Sequence, residues 1–248
     1  MFEKTIEFIA HKDYVDLKED RPIPIKLNIP EWFKKLSHTV ENKTVKGCIP
    51  FLDSLTSGYL LKIPQDLKII HNKINPDTNQ PDSFYRTGQL DDQILHAKSI
   101  NLGRQQADVH PPIQLEGSPY IEKNKNLPFY KIMNPWIIKT PPGYSCLFVS
   151  PLNNTDDRFS IIPAIVDTDT FPNEINFPIV INGDKYPTLE TVLKKGTPYV
   201  QIIPFKRDKW KMKITSKNTE EIRKEKTFYG LTIIHGYKNK YWNKKSWN

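Results

Sequence analysis

The sequence predicts a mainly β protein, an antiparallel sandwich with an irregular insertion and few short helices. Three observations carry this. Short β-branched and aromatic runs (Trp136–Lys139, Ser145–Val149, Ile161–Val166, Ile175–Ile181, Tyr199–Phe205) are cut at fairly regular intervals by Pro, Gly, Asn and Asp. The chain holds 21 Pro against 10 Gly, and so many fixed φ angles suit edge strands and ordered loops better than long helices. At 248 residues, with 38% hydrophobic and 26% charged residues of both signs, it has enough apolar material for a core and is not of disordered composition.

Residues 1–44 read as an N-terminal arm. Thr5–Ala10 is a candidate strand, and Pro22, Pro24 and Pro30 favour extended chain after it. Pro30–Leu36 reads as a short helix with Pro at its first position, Glu31 in the first turn, and Trp32, Phe33 and Leu36 as an apolar anchor. The β domain is expected over 45–235. It begins with an apolar turn at Cys48–Leu55 and two strands around Pro64–Asp66, and carries an irregular insertion at about 71–130, where turn formers are dense and alternation is weak. After the core strands, Lys217–Thr227 is a charged helix capped by Asn218 or Thr219, and Phe228–Ile234 reads as a returning strand. A basic aromatic tail closes the chain at 236–248.

The net charge of +8 and the pI near 9.2 suit an anionic partner, but the lysines are spread along the chain as they are on many solvated surfaces. The tail interleaves Tyr237, Tyr241, Trp242 and Trp247 with lysines, a composition able to stack on bases and neutralise phosphates. An internal clasp, with these aromatics docked on the protein and the lysines in water, is the favoured reading. Cys48 and Cys146 form neither a metal-type pair nor a disulfide framework, which points to a reducing compartment, and the cytoplasm is the expected location. No run of about 18 apolar residues is present to span a bilayer, so no membrane partner is expected. His11 and Asp13 have facial-triad spacing but lack the strand context and a neighbouring third ligand, His235 being remote. The phosphate-loop, zinc-protease, serine-hydrolase and dithiol motifs are absent.

Ala164–Ile175 (Ala-Ile-Val-Asp-Thr-Asp-Thr-Phe-Pro-Asn-Glu-Ile) and Lys195–Ile203 (Lys-Gly-Thr-Pro-Tyr-Val-Gln-Ile-Ile) resemble two motifs of the β-clip superfamily of trimeric dUTPases and dCTP deaminases. Pro142-Gly-Tyr-Ser precedes them at a fitting distance, and Gly58-Tyr-Leu-Leu is similar to the family's first motif. The resemblance implies a β-clip core and a homotrimer. It also implies a pyrimidine deoxynucleotide ligand, with weak or no activity as a pyrophosphatase or deaminase-like hydrolase. Asp167 takes the position of the catalytic Asp, and Asp169, Phe171 and Gln201 fall at ligand-binding positions, Phe171 under the sugar and Gln201 on the phosphates. Mg²⁺ would enter only with a nucleoside triphosphate.

The pattern departs from the family where it grips phosphate. Pro151-Leu-Asn-Asn replaces Pro-Arg-Ser-Gly, leaving Arg158 as a substitute only if its loop folds back; Pro198 replaces an Arg; and the C-terminal Gly-rich cradle is missing. Turn chemistry alone also accounts for Asp167 and Asp169. The layout of the whole chain is further similar to that of proteins encoded by marine T4-like phages, which brings no chemistry with it. A second function class is therefore open: a non-enzymatic structural or host-interaction protein, such as a virion component or modulator, using the β fold as a platform.

Overall fold

The structure is a computed structural model and describes residues 4–39, 41–87, 107–231 and 236–248. In chain order the strands and helices are β1 (Glu7–Ile9), α1 (Lys12–Asp16), β2 (Ile23–Pro24), α2 (Glu31–Lys35), α3 (Ile49–Thr56), β3 (Tyr59–Lys62), β4 (Leu67–Ile74) and β5 (Pro81–Thr87). Then come β6 (Ala107–His110), α4 (Pro119–Lys123), β7 (Phe129–Ile132), β8 (Ile137–Lys139), β9 (Tyr144–Val149), β10 (Phe159–Ile161) and β11 (Ala164–Val166). The last are β12 (Phe177–Ile181), β13 (Leu189–Leu193), β14 (Pro198–Lys206), α5 (Thr219–Leu231) and α6 (Gly236–Lys240). Among the described residues none of these helices is long and apolar enough to cross a membrane.

The chain divides into two compact units, one of residues 1–23 and 58–206 and one of residues 24–57 and 207–248.

The first unit is the β domain. Its strands form a five-stranded sheet in the order β11-β9-β14-β3-β2, a four-stranded sheet β10-β12-β7-β6, a three-stranded sheet β13-β4-β5 and the pair β1-β8. Every registered pair is antiparallel. The mainly β, antiparallel expectation is met. Alternation puts Cys146, Phe148, Val200 and Ile202 on the inner face of the five-stranded sheet, where they join Ile179, Ile181 and Phe177 of β12 in one core. Phe177 lies 5.4 Å from Phe148 and 5.7 Å from Tyr199, ring centre to ring centre, so the two sheets interlock through aromatic contacts. On the far side of the four-stranded sheet, Val180 and Phe129 pack with Ile121 of α4. The helix is held there by the buried Asn124, whose Oδ1 accepts from Ile181 N–H and whose Nδ2 donates to Leu127 and Pro128 carbonyls.

Two expectations for this unit are corrected. Cys48–Leu55, read as an apolar turn, lies outside this unit and is largely helical, since Pro50 sits at the start of α3 where its missing N–H is harmless. The segment 71–130, read as irregular, contributes the second half of β4, all of β5 and β6, α4 and the first half of β7; residues 88–106 lie outside the described part. β7 lacks clean alternation because both its faces are covered: Phe129 and Tyr130 are consecutive and both buried. His71 is fully buried beside Ser83, and their side chains are hydrogen-bonded through His71 Nδ1. Ser83 also bonds the Tyr130 hydroxyl, which donates to Ile70 O at 2.6 Å.

In the second unit, Phe33 of α2 stacks on Phe51 of α3 at 5.9 Å, with the Trp32 ring edge-on to both. The tail returns to α3: Trp242 Nε1 donates to the Asp53 carboxylate at 3.1–3.2 Å, and Lys245 Nζ pairs with it at 2.6 Å. This is the geometry a clasp requires. Replacing Asp53 by Ala is expected to lower the stability of this unit by about 1–2 kcal/mol and to red-shift tryptophan emission, since two bonds to a carboxylate disappear; unchanged emission and melting would show the tail contact to be idle. Asn218 caps α5, accepting from Glu221 N–H at 2.8 Å while its own N–H donates to the Glu221 carboxylate at 3.4 Å. The helix then runs on to Leu231, so the strand expected at Phe228–Ile234 is helical over its first four residues, and 232–234 lie outside the described part.

Candidate functional site

The resemblance named Asp167, Asp169, Phe171, Gln201 and Arg158, and the structure divides them between three places. Asp167, Asp169 and Phe171 share the turn after β11, where Asp167 O accepts from Thr170 N–H at 3.1 Å and from Phe171 N–H at 2.9 Å. β11 pairs with β9 so that Val166 lies opposite Cys146, which brings this turn against the Pro142-Gly143 turn at the start of β9. The two turns are tied together by short polar bonds. Gly143 N–H donates to Asp169 Oδ2 at 2.8 Å, Ser145 Oγ donates to Asp167 Oδ1 at 2.6 Å, and the Thr140 and Thr168 hydroxyls meet at 2.7 Å. Beneath them Cys146 is buried, and burial pushes its thiol up to about 11, so it is not a nucleophile at neutral pH.

Gln201 lies elsewhere on the sheet. It pairs with Val149 of β9, four residues along from Ser145 and hence about 13 Å away. It is fully buried, and its Oε1 accepts from Leu152 N–H at 2.8 Å, holding the 151–154 turn against the sheet. Arg158 is remote again. Its Nε donates to Asp156 at 2.9 Å, and its Nη1 donates to Thr191 Oγ1 at 2.7 Å and Val192 O at 3.3 Å, fastening the loop before β10 to β13. The Asp156 carboxylate, bonded to the guanidinium, raises the Arg158 pKa further. These two side chains have structural partners where the resemblance placed phosphate.

Sequence reasoning missed a shallow hollow of about 360 Å³ beside the tied turns, lined by Lys4, Thr5, Glu7, Lys139, Thr140 and Pro141. β1 pairs with β8, placing Glu7 opposite Lys139, and Lys4 Nζ lies 6.0 Å from the centre of the Tyr144 ring. No short motif marks this place, because it is made by pairing strands some 130 residues apart in the chain. Its two lysines and hydroxyl-bearing rim can receive an anionic group, and its openness to water keeps any such contact weak. Among the described residues no group of three His, Cys, Asp or Glu side chains is placed to hold a metal ion. His11, taken with Asp13 in the facial-triad pattern, instead caps α1, accepting from Asp13 N–H at 3.4 Å.

No family model matches the chain, and no curated protein matches it.

Proposed function

We propose that this chain is a non-enzymatic interaction protein, a rigid β platform that presents its surface to a partner. The observation that carries the reading is the engagement of Arg158 and Gln201. Phosphoryl chemistry depends on charge and donors aimed at the leaving oxygens, and both side chains expected to supply them hold loops to the sheets. Asp167 and Asp169, likewise, tie one turn to the next. A virion component, or a modulator acting in the host cytoplasm, fits a platform of this kind.

One observation favours a second reading, a β-clip relative that binds a pyrimidine deoxynucleotide as a trimer. The Lys4 and Lys139 hollow adjoins the turn bearing Asp167, Asp169 and Phe171, so an anionic ligand there would lie beside the residues that the resemblance selects. A thermal-shift panel of dUTP, dCTP and dUMP, with and without Mg²⁺, separates the two. The platform reading expects no change in melting temperature. A ligand at about a hundred times its Kd would stabilise by roughly 2.7 kcal/mol, and such a shift, lost in Lys139→Ala, would replace the platform by the nucleotide reading.

A further inference from the structure

The division of the chain into two units also divides its charge. Residues 24–57 and 207–248 hold 17 Lys and Arg against 7 Asp and Glu, whereas residues 1–23 and 58–206 hold 19 against 21. The whole positive excess of the protein therefore belongs to the smaller unit, which marks that unit for an anionic partner.

Within it, Lys209-Trp-Lys-Met-Lys-Ile214 alternates lysine with large apolar residues, and the run continues through Thr215 and Ser216 to Lys217 without an acidic residue. The segment has no regular secondary structure, and among the described residues no hydrogen bond or ion pair reaches 209–216. Trp210 is 90% exposed, Met212 84% and Ile214 85%. Large apolar side chains so close together in water gain free energy from a partner that removes them from it.

The residue types choose among anionic partners. Bases of a single-stranded nucleic acid stack on aromatic faces, and this arm offers one, Trp210; Met212 and Ile214 have no π face. Protein interfaces are enriched in Arg and depleted in Lys, and every cation of 209–217 is Lys. A lipid surface suits the whole set: the indole belongs at headgroup level, Met and Ile reach the acyl boundary, and lysines meet anionic headgroups.

Laid out as extended chain, the period of two sends Trp210, Met212 and Ile214 to one side and the three lysines to the other. With the apolar side down, the backbone rests among the headgroups, where water solvates its N–H and C=O groups. Lysines on the upper side stay within a Debye length, about 8 Å, of the lipid phosphates, and their flexible stems bend the ammonium groups back toward them. Both faces thus serve one surface. Stable attachment takes two signals, an apolar one and a polybasic one, and the arm carries both. Lying on a bilayer, unlike crossing one, needs no long apolar run, so the expectation of no membrane partner, which rested on crossing, does not bear on it.

We propose that residues 209–214 are a peripheral membrane anchor, which lays Trp210, Met212 and Ile214 into the interface of an anionic bilayer and sets Lys209, Lys211 and Lys213 at its phosphates. Attachment of this kind goes beyond the platform reading and holds whether or not the β domain takes a nucleotide.

Co-sedimentation of the full chain with vesicles of phosphatidylcholine alone, and of phosphatidylcholine with about 30% phosphatidylserine, tests it. The wild type is expected to pellet with the mixed vesicles, to ignore the neutral ones, and to show a blue shift of tryptophan emission on the mixed vesicles. Replacing Lys209, Lys211 and Lys213 together by Gln should weaken binding by about a hundredfold, at about fivefold for each lysine. The triple variant Trp210→Ser, Met212→Ser, Ile214→Ser should lose the blue shift and most of the pelleting. Both variants are expected to keep wild-type circular dichroism, since these side chains are exposed. A wild type that ignores the mixed vesicles or binds the neutral ones equally, or either variant binding as the wild type does, would overturn the proposal. So would an affinity for oligothymidine, or a light-scattering mass above 29.0 kDa, that the serine variant loses while vesicles are ignored, which would give the arm to a nucleic acid or to a second copy.

Discussion

Gly58→Ala is expected to destabilise the β domain by about 3 kcal/mol or more, seen as a large fall in the urea midpoint. Gly58 stands immediately before β3 with φ +84°, a region that side chains rarely adopt, and a Cβ there would lie 2.0 Å from Ile202 O on the neighbouring strand β14. The obstacle is backbone, which cannot rotate away, so β3 and β14 must separate at the point where Tyr59 pairs with Ile202. Gly117 provides the control. Its φ is +74° but a Cβ would meet nothing within 4 Å, so Gly117→Ala should cost about 1 kcal/mol, the conformational part alone. Equal effects at the two positions would show that the approach of β14 does not matter.

Acidification is expected to remove roughly 2 kcal/mol of stability by pH 5 and roughly 3 by pH 4 through His71. Burial, with a smaller contribution from the Lys125 charge, lowers its pKa from 6.5 to about 4. The folded state therefore holds the imidazole neutral, while the unfolded chain takes up a proton as soon as the pH drops below 6.5. Stability is whole above that value and is lost as the pH falls through the interval down to 4. Asp66, Asp108 and Glu190, whose pKa values are lowered by lysine partners and, for Asp108, chiefly by Val109 N–H, lose their contributions below pH 4.5, so the upper part of the window belongs to the histidine. Among the described residues His71 Nε2 is buried with no partner, so a second proton on the ring would find no acceptor among them. Urea midpoints measured between pH 7 and pH 5 should fall steeply for the wild type and stay nearly level for His71→Gln. Parallel slopes would rule His71 out as the source.

Much of this was written in local chemistry. The short β-branched and aromatic runs of β9, β12 and β14 marked strands because their composition and the Pro, Gly and Asn that cut them are local features of the chain. Asn218 marked the start of α5 because a cap is a contact between residues three apart. The Pro142-Gly143 turn and the Asp167–Phe171 turn were legible as turns for the same reason.

Tertiary structure decided the rest. β5, β6 and β7 lay in a stretch read as irregular, and β7 shows why: Phe129 and Tyr130, consecutive and both buried, belong to a strand covered on both faces, which loses its alternation. Phe228–Leu231 reads as strand by composition, but α5, nucleated at Asn218, runs through it. The identities of Arg158 and Gln201 could not reveal whether their donors and acceptors face a ligand or the chain itself. Their partners, Asp156, Thr191 and the Leu152 N–H, are set by which strands lie side by side. Local sequence encodes the preferences of a segment over a few residues, whereas the partner of a polar side chain depends on contacts that close loops of tens of residues, and those exist only once the sheets have assembled.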